Sequence, residues 1–355
     1  MTRPFVALHF GLVQDVAVLR PVARLAAAMP AIDLHFLISH NFASRDADGR
    51  WMAELDRLAG EVSVTPLTYE SAFDVLRFLG SGRGMIVAGS ESDVAAHADA
   101  HHLFKAMPGR IRTVTLQHGL ECVGFIHNAR HDATAGRNVR FAADIAVAWF
   151  ELERMTSVSA AERSKIFVAG PSILLDPVSR TKTVSVDAPG MICENLHSVR
   201  FVDGRMREDF LSTFTSFAEQ LAAVGQSLVL RAHPAGRFTE RNPIALPPNV
   251  TVSLAPIYDL DLRDYAYVIS APSTILLDFV FAGVPAATWV DPGGAVDASH
   301  FSGLSSVASA DDWWRFNWAA RWERDALVEQ QDGYRDSLGF PADVRARYES
   351  LLALA

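Results

Sequence analysis

Two doubly wound α/β domains in tandem are what the sequence predicts, and three observations predict them. Short apolar runs alternate with amphipathic helical segments along most of the chain, the pattern of parallel sheets covered on both faces. The alternation breaks once, over the polar and weakly periodic stretch from Pro171 to Asp187, and then resumes. With 355 residues the chain is long for one open sheet and comfortable for two, on a prior of roughly 100–200 residues per domain.

In the first half, strands are expected at Phe5 to Phe10, Ile32 to Ser39, Val62 to Pro66, Gly84 to Ala88, Arg112 to Leu116, Asp144 to Ala148 and Lys165 to Ala169. Helices fall between them at Asp15 to Met29, Trp51 to Leu58, Ser71 to Leu79 and Ser92 to Met107. The second series places strands at Gly190 to Cys193, Ser227 to Leu230, Val250 to Leu254, Tyr267 to Ser270 and Ala286 to Val290. Its helices are Arg207 to Val224 and Ser273 to Ala282. The expected domains are therefore 1–172 and 187–310, facing a crevice, with a helical tail over 311–355 that braces both. In that tail Trp314, Trp318 and Trp322 repeat at i, i+4, i+8 and read as its packing face.

Half of the residues are hydrophobic and 21% are charged, enough apolar material for full cores. The net charge of −9 argues against nucleic acid as a partner. Cys122 and Cys193 lie far apart and outside metal-ligand spacing, and read as reduced thiols. The N-terminal apolar run ends at Gly11, so it reads as a first core strand, and no run reaches the roughly 20 residues a membrane span needs. A cytoplasmic protein is expected, with peripheral docking at the inner face of the plasma membrane if its partner is membrane-bound.

Ligands of open α/β sheets bind outside the carboxyl ends of the strands. Three segments put chemistry there. After the strand ending at Ser270 come Ser273 and Thr274 at a helix start, where free N–H groups and hydroxyls suit a phosphate. Asp278 follows in that helix, with a carboxylate for a sugar hydroxyl. In the segment LVLRAHPAGRF, Arg231 or His233 could meet a phosphate, Pro234 fixes the turn, and Arg237 adds a charge. In TVTLQHGLECVGF, Gln117, His118 and Gly119 follow a first-half strand. The glycine allows a tight turn, and the imidazole suits a general base with an acid limb at the ordinary histidine pKa of roughly 6.5. Glu121, Asp132 and the stretch His127 to Asn138 could help hold an acceptor. Glu194 and Asn195, after the first strand of the second series, point at the same crevice.

Together, Gln117-His118-Gly119, His233-Pro234 and the S-x-x-S-T-x-x-x-D run of Ser270, Ser273, Thr274 and Asp278 resemble a bacterial group of capsule and teichoic-acid transferases. That group comprises the CDP-glycerol glycerophosphotransferases, the bacterial polysialyltransferases and the capsule Kdo transferases, all GT-B enzymes. The resemblance spans most of residues 110–290 and is thin elsewhere. It implies His118 as the base-like residue, His233 as a phosphate contact, and Ser273 and Thr274 as donor-site hydroxyls. Asp278 stands where many GT-B enzymes carry Glu, and Gly170 to Asp176 where they often carry a Gly-x-Pro hinge loop. The glycerophosphotransferases tend to show Trp-His-Gly-Thr-Pro, against Gln117 to Glu121 here, a departure that leans toward a sugar donor.

The resulting expectation is an inverting, metal-independent glycosyltransferase without a cofactor. Its donor would be a CMP-, CDP- or UDP-linked sugar, and its acceptor a glycan, a lipid-linked group or a protein. Alternatives are a glycerophosphotransferase, a nucleotide-sugar epimerase of the same architecture, and a non-catalytic nucleotide-binding partner. Gly11 to Asp15 is no G-x-G-x-x-G fingerprint, so a dinucleotide is not expected. His97, Asp99, His101 and His102 read as a polar solvent face, and Asp259 and Asp261 as a capped loop.

Overall fold

The computed structural model describes residues 3–176, 180, 182–197, 204–242 and 244–355. The chain divides into two compact units. Among the described residues, one takes in 3–127, 131–176 and 340–355, and the other 128–130 and the described part of 180–339. Part of the expected linker, residues 177–179 and 181, lies outside the described residues.

In chain order the first sheet is built by β1 (Phe5–Phe10), α1 (Val13–Ala27), β2 (Asp33–Ser39), α2 (His40–Arg45), α3 (Arg50–Glu61), β3 (Leu67–Tyr69), α4 (Ala72–Leu79), β4 (Gly84–Ala88), α5 (Ala98–Lys105) and β5 (Ile111–Leu116). After β5 come α6 (Ala129–Ala135), β6 (Ile145–Ala148) and β7 (Ile166–Val168). The strand order is β3-β2-β1-β4-β5-β6-β7 and every pairing is parallel. β1 and β4 are buried along their whole length, as central strands covered on both faces must be. The helices start where side chains can satisfy their first N–H groups. Ser71 and Asp74 form a reciprocal capping box at α4, and Ser39 caps α2.

The second unit carries β8 (Gly190–Cys193), α7 (Gly204–Ala223), β9 (Leu228–Arg231), α8 (Phe238–Arg241), β10 (Val250–Ser253), β11 (Val268–Ser270), α9 (Ile275–Phe281), β12 (Ala286–Trp289), β13 (Ser305–Val307), α10 (Ala310–Trp322) and α11 (Arg324–Leu338). Its sheet order is β10-β9-β8-β11-β12-β13, again all parallel. Phe210, Phe214 and Phe217 of α7 pack with Trp289 and Trp313 in its core. The last helix, α12 (Val344–Leu352), belongs to the first unit, where the Tyr348 hydroxyl donates to the Gly170 carbonyl at 3.2 Å. No described helix is long and apolar enough to cross a membrane.

Several sequence expectations need correction. Val62 to Pro66 is not a strand: Val62 ends α3, Ser63 takes a positive φ of 58°, and β3 lies further on. The expected helix from Ser92 begins only at Ala95, as a 3-10 turn, because Ser92 belongs to a strand-end loop. α2 and the three-residue β13 were too short to leave a periodic trace. The tryptophan stripe holds only at Trp314, which packs partly buried against the core. Trp313, Phe316 and Ala320 are the packed residues of α10, while Trp318 and Trp322 are 49% and 63% exposed.

Candidate functional site

Each sheet reverses its strand order once, between β1 and β4 in the first and between β8 and β11 in the second. Such switch points open a crevice at the carboxyl ends of the strands. Several of the predicted residues follow strands at or next to these points: His118 follows β5, Glu194 and Asn195 follow β8, Arg231 ends β9, and Ser273 and Thr274 follow β11.

In the first unit, three successive residues after β4 each hold one histidine. Ser90 Oγ lies 2.8 Å from His118 Nδ1, Glu91 Oε1 2.5 Å from His101 Nδ1, and Ser92 Oγ 2.7 Å from His97 Nδ1. The His97 and His118 rings meet edge-on at 6.2 Å. This corrects the solvent-face expectation: His97 and His101 are buried, at 8% and 6% exposure. Their polar neighbours in sequence hid that, because their partners lie after another element. Asp99 does bind outward partners, accepting from Ser39 Oγ at 2.6 Å and Asn41 Nδ2 at 2.8 Å.

His118 itself is half-buried. Burial, reinforced by the nearby His97 and His131 rings, lowers its pKa to about 3, so the imidazole is neutral near pH 7. The Cys122 sulfur also lies 3.3 Å from Nδ1, and burial pushes that thiol up to about 12, keeping it protonated. With Nδ1 engaged, Nε2 is the nitrogen left for a ligand.

The residues around His118 have structural employment. Gln117 Nε2 donates to the Gly119 and Leu120 carbonyls at 2.9 and 3.3 Å, and its Oε1 accepts from the Trp149 N–H at 2.9 Å. Gly119 is not among the positive-φ glycines, so its backbone conformation does not demand glycine. Glu121 is half-buried in the same loop. His127 Nδ1 pairs with Asp132 Oδ1 at 3.0 Å, and Arg137 holds the other Asp132 oxygen at 2.7 Å. The stretch from His127 is thus a braced turn with α6 inside it. Across the switch point, buried Asp15 accepts the Gly11 and Leu12 N–H groups at 2.9 and 2.8 Å, and burial raises its pKa to about 7.

In the second unit, β9 ends in Arg231. This residue is only 5% exposed, and its Nε has no hydrogen-bond partner. Its guanidinium makes no ion pair with another described residue. Half-buried Asp278 interacts with it electrostatically; burial raises the Asp278 pKa to about 7, with Arg231 pulling the other way. Two residues on, His233 Nδ1 accepts the backbone N–H groups of Ala235 and Gly236 at 3.1 and 3.4 Å, in the turn that Pro234 opens. Accepting those bonds requires a lone pair on Nδ1, so the ring proton sits on Nε2. Burial first, then His197 and Arg231, holds the His233 pKa well below its ordinary value. His233 is therefore a neutral donor at Nε2.

The other predicted residues frame this pair. Ser270 is wholly buried and donates to the Cys193 carbonyl at 3.2 Å, tying β11 to β8. Glu194 accepts the Phe238 and Thr239 N–H groups at 2.6 and 2.7 Å and so anchors α8. Asn195 Nδ2 donates to the Pro272 carbonyl at 3.1 Å, bridging the switch point. Ser273 and Thr274 stand half-buried at the start of α9, and Thr274 Oγ1 does not cap the helix. Arg237 is paired with Glu240. Asp261 caps a 3-10 turn through the Arg263 N–H at 3.0 Å and binds Lys182 Nζ at 2.8 Å. Among the described residues no three His, Cys, Asp or Glu side chains are grouped to hold a metal ion. Cys122 and Cys193 are free and buried.

Sequence reasoning missed Ser90, Glu91 and the inward turn of His97 and His101. It also missed His197, which follows β8 and whose ring lies 3.9 Å from that of His233. No family model matches the sequence, and no curated protein matches it. Solved structures do resemble it. The S. aureus MnaA–UDP co-structure has a TM-score of 0.63 at 10% identity, covering 98% of this chain and 94% of that one. The UDP-GlcNAc 2-epimerase from Neisseria meningitidis, bound to UDP-GlcNAc, has a TM-score of 0.56 at 11% identity over 98% of each chain. The glycotransferase of kitacinnamycin has a TM-score of 0.56 at 13% identity, covering 100% of this chain and 98% of that one. At such identity the likeness is one of fold, and with its two parallel sheets of seven and six strands the chain has the GT-B architecture of two Rossmann-like units.

Proposed function

We propose that this protein is an inverting, metal-independent glycosyltransferase that uses a nucleotide-activated sugar. The observation that carries the reading is Arg231: a buried guanidinium with an unpartnered Nε and no ion pair among the described residues, beside a histidine set as an Nε2–H donor. A buried charge without a partner is costly, and a ligand phosphate would relieve it. Arg231 and the Nε2–H of His233 supply charge-assisted and neutral donors to a leaving phosphate, with the hydroxyls of Ser273 and Thr274 following β11 of the same sheet and no cation required. Solved proteins of this fold bound to UDP or UDP-GlcNAc support a nucleotide-sugar ligand.

In this reading His118 deals with the acceptor. A hydroxyl is a poor nucleophile until its proton is taken as the new bond forms. When Nδ1–H donates to Ser90 Oγ, Nε2 holds the lone pair that takes that proton. The QHG, HP and S-x-x-S-T-x-x-x-D motifs favour a role in bacterial surface polysaccharide or glycoconjugate assembly. An epimerase of the same fold would call for carboxylates free to move protons. Glu91 is committed to His101 and to two backbone N–H groups, and Asp15 to Gly11 and Leu12. A thermal-shift screen with CMP, CDP, UDP, GDP and TDP names the nucleotide. Incubation of the matching sugar nucleotides with and without acceptors, in EDTA, then reads the reaction. Acceptor-dependent release of nucleotide supports transfer; a sugar nucleotide returned with one inverted centre and no acceptor requirement rejects it.

A further inference from the structure

His197 is absent from every motif considered above, and three features of its setting point to a ligand. Its ring lies over that of His233, with centroids 3.9 Å apart and planes 38° apart. The space it occupies exists because residue 236 is glycine: a Cβ there would come within 2.4 Å of His197 Cγ. Cationic side chains also act on the ring electrostatically. Arg207 and Arg241 act on its charge, and Arg231 acts on that of His233. Arg207 is fixed there by donating to the Leu196 carbonyl at 2.9 Å, and its guanidinium lies 5.5 Å from the Phe238 ring centroid. Two imidazoles gathered with arginines repel any further proton, an arrangement that an anion stabilises. His197 belongs to the exposed class while His233 is half-buried, so the pair runs from the wall of the site toward solvent.

We propose that His197 is a second phosphate-binding residue, so that the stacked pair and its arginines recognise a nucleoside diphosphate in preference to a monophosphate. Arg231 and His233 take one phosphate, and His197 with Arg207 and Arg241 takes the other. The inference rests on the second unit being the nucleotide site and adds the number of phosphates it reads. Gly236 is then a positioning residue, because it seats the His197 ring without touching the ligand.

Titration calorimetry with UDP, UMP, CDP and CMP tests this on the intact protein. For the base that binds, the diphosphate is expected to bind roughly tenfold or more tightly than the monophosphate. His197→Ala should remove most of that gap, weakening the diphosphate about tenfold and leaving the monophosphate within about twofold. Gly236→Ala should do the same without removing the imidazole, and His197→Gln should recover part of the loss. Unfolding temperatures and far-ultraviolet spectra equal to wild type exclude a folding defect. Equal diphosphate affinity in His197→Ala overturns the inference while leaving the nucleotide site intact, as does an equal loss for both ligands. Tighter monophosphate binding by the wild-type protein also overturns it. Binding of none of the four, and of neither GDP nor TDP, overturns both this inference and the proposed function.

Discussion

His118 and His233 occupy corresponding places, each just past a strand near the switch point of its own sheet, yet their rings are held in different ways. At His233 two backbone N–H groups point at Nδ1. An amide can only donate, so the tautomer is fixed and Nε2 always carries hydrogen. At His118 the partners of Nδ1 are the Ser90 hydroxyl and the Cys122 thiol, each of which can donate or accept. The Ser90 hydroxyl can donate to Nδ1 at rest and accept from it when Nε2 must take a proton. A ring locked as a donor is suited to binding an anion, and a ring with an adaptable partner is suited to moving protons. Under the proposed function, the two Nδ1 environments would divide binding from chemistry.

The largest expected effect tests that division directly. His118→Ala should lower kcat by roughly 10²–10⁴, the range for loss of a general base, while the nucleotide dissociation constant stays within about twofold. Lost donor affinity with full turnover at saturation would make His118 a binding residue and send the search for the base to Glu121 or Asp132. The pH profile sharpens the point. A base works in its neutral form, above its pKa. Since burial holds His118 down to about 3, the acid limb expected near 6.5 from sequence moves to lower pH, and kcat should not fall through His118 between pH 8 and 5. A limb at pH 6.5 that disappears in a His118 variant would contradict this.

His233→Ala should show the converse. Nucleotide affinity should weaken by on the order of 1.5–3 kcal/mol, the range for hydrogen bonds to charged groups, and kcat at saturating donor should change far less. Calorimetry and steady-state rates on one preparation separate the two. An unchanged dissociation constant would remove His233 from the donor site.

Ser90→Ala probes the partner of His118. One buried hydrogen bond of about 0.5–1.5 kcal/mol is lost, so kcat should fall roughly three- to tenfold, with donor affinity unaltered. Ser90→Thr, which restores the hydroxyl, should recover most of the rate. The ¹⁵N shifts of the His118 ring should move in Ser90→Ala and return in Ser90→Thr. A rate that falls with unmoved ring shifts would show that Ser90 acts on the fold and not on the tautomer.

How far sequence reached follows from where the partners lie. Strand and helix alternate with strong periodicity, so the two sheets were legible, and His118 and His233 stood out because each directly follows a buried strand. Their settings were not legible. Ser90 lies 28 positions from His118, in a Gly-Ser-Glu-Ser-Asp run that resembles an ordinary loop. His197 is explained by Gly236, whose missing side chain makes room for it. The α10 tryptophans show a related limit. Helical spacing at Trp314, Trp318 and Trp322 fits one face, but Trp313, Phe316 and Ala320 fit another equally well, and that second face is the buried one. Periodicity gives the kind of element and leaves its rotation to packing.

The smallest expected effect concerns Asp278, whose carboxyl interacts electrostatically with Arg231. Burial is the larger influence on its carboxyl and raises the pKa to about 7, while Arg231 favours the ionised form. Below pH 7 the group is mostly neutral and Arg231 acts at full charge. Above pH 7 it ionises, offsets the guanidinium and repels a phosphate. Nucleotide affinity should therefore fall as pH rises through 7. The ligand works in the opposite direction, because a terminal phosphate gains charge above its own pKa of about 6. Asp278→Asn cancels that contribution, since the ligand's ionisation is the same for both proteins. The ratio of wild-type to Asp278→Asn dissociation constants should grow between pH 6 and pH 8, by no more than the roughly tenfold per pH unit that one proton allows. Parallel curves over that range would mean that Asp278 does not act on the phosphate through Arg231. Its place in α9 would then suit a sugar or ribose hydroxyl, and the same variant would weaken a sugar nucleotide or nucleoside without regard to pH.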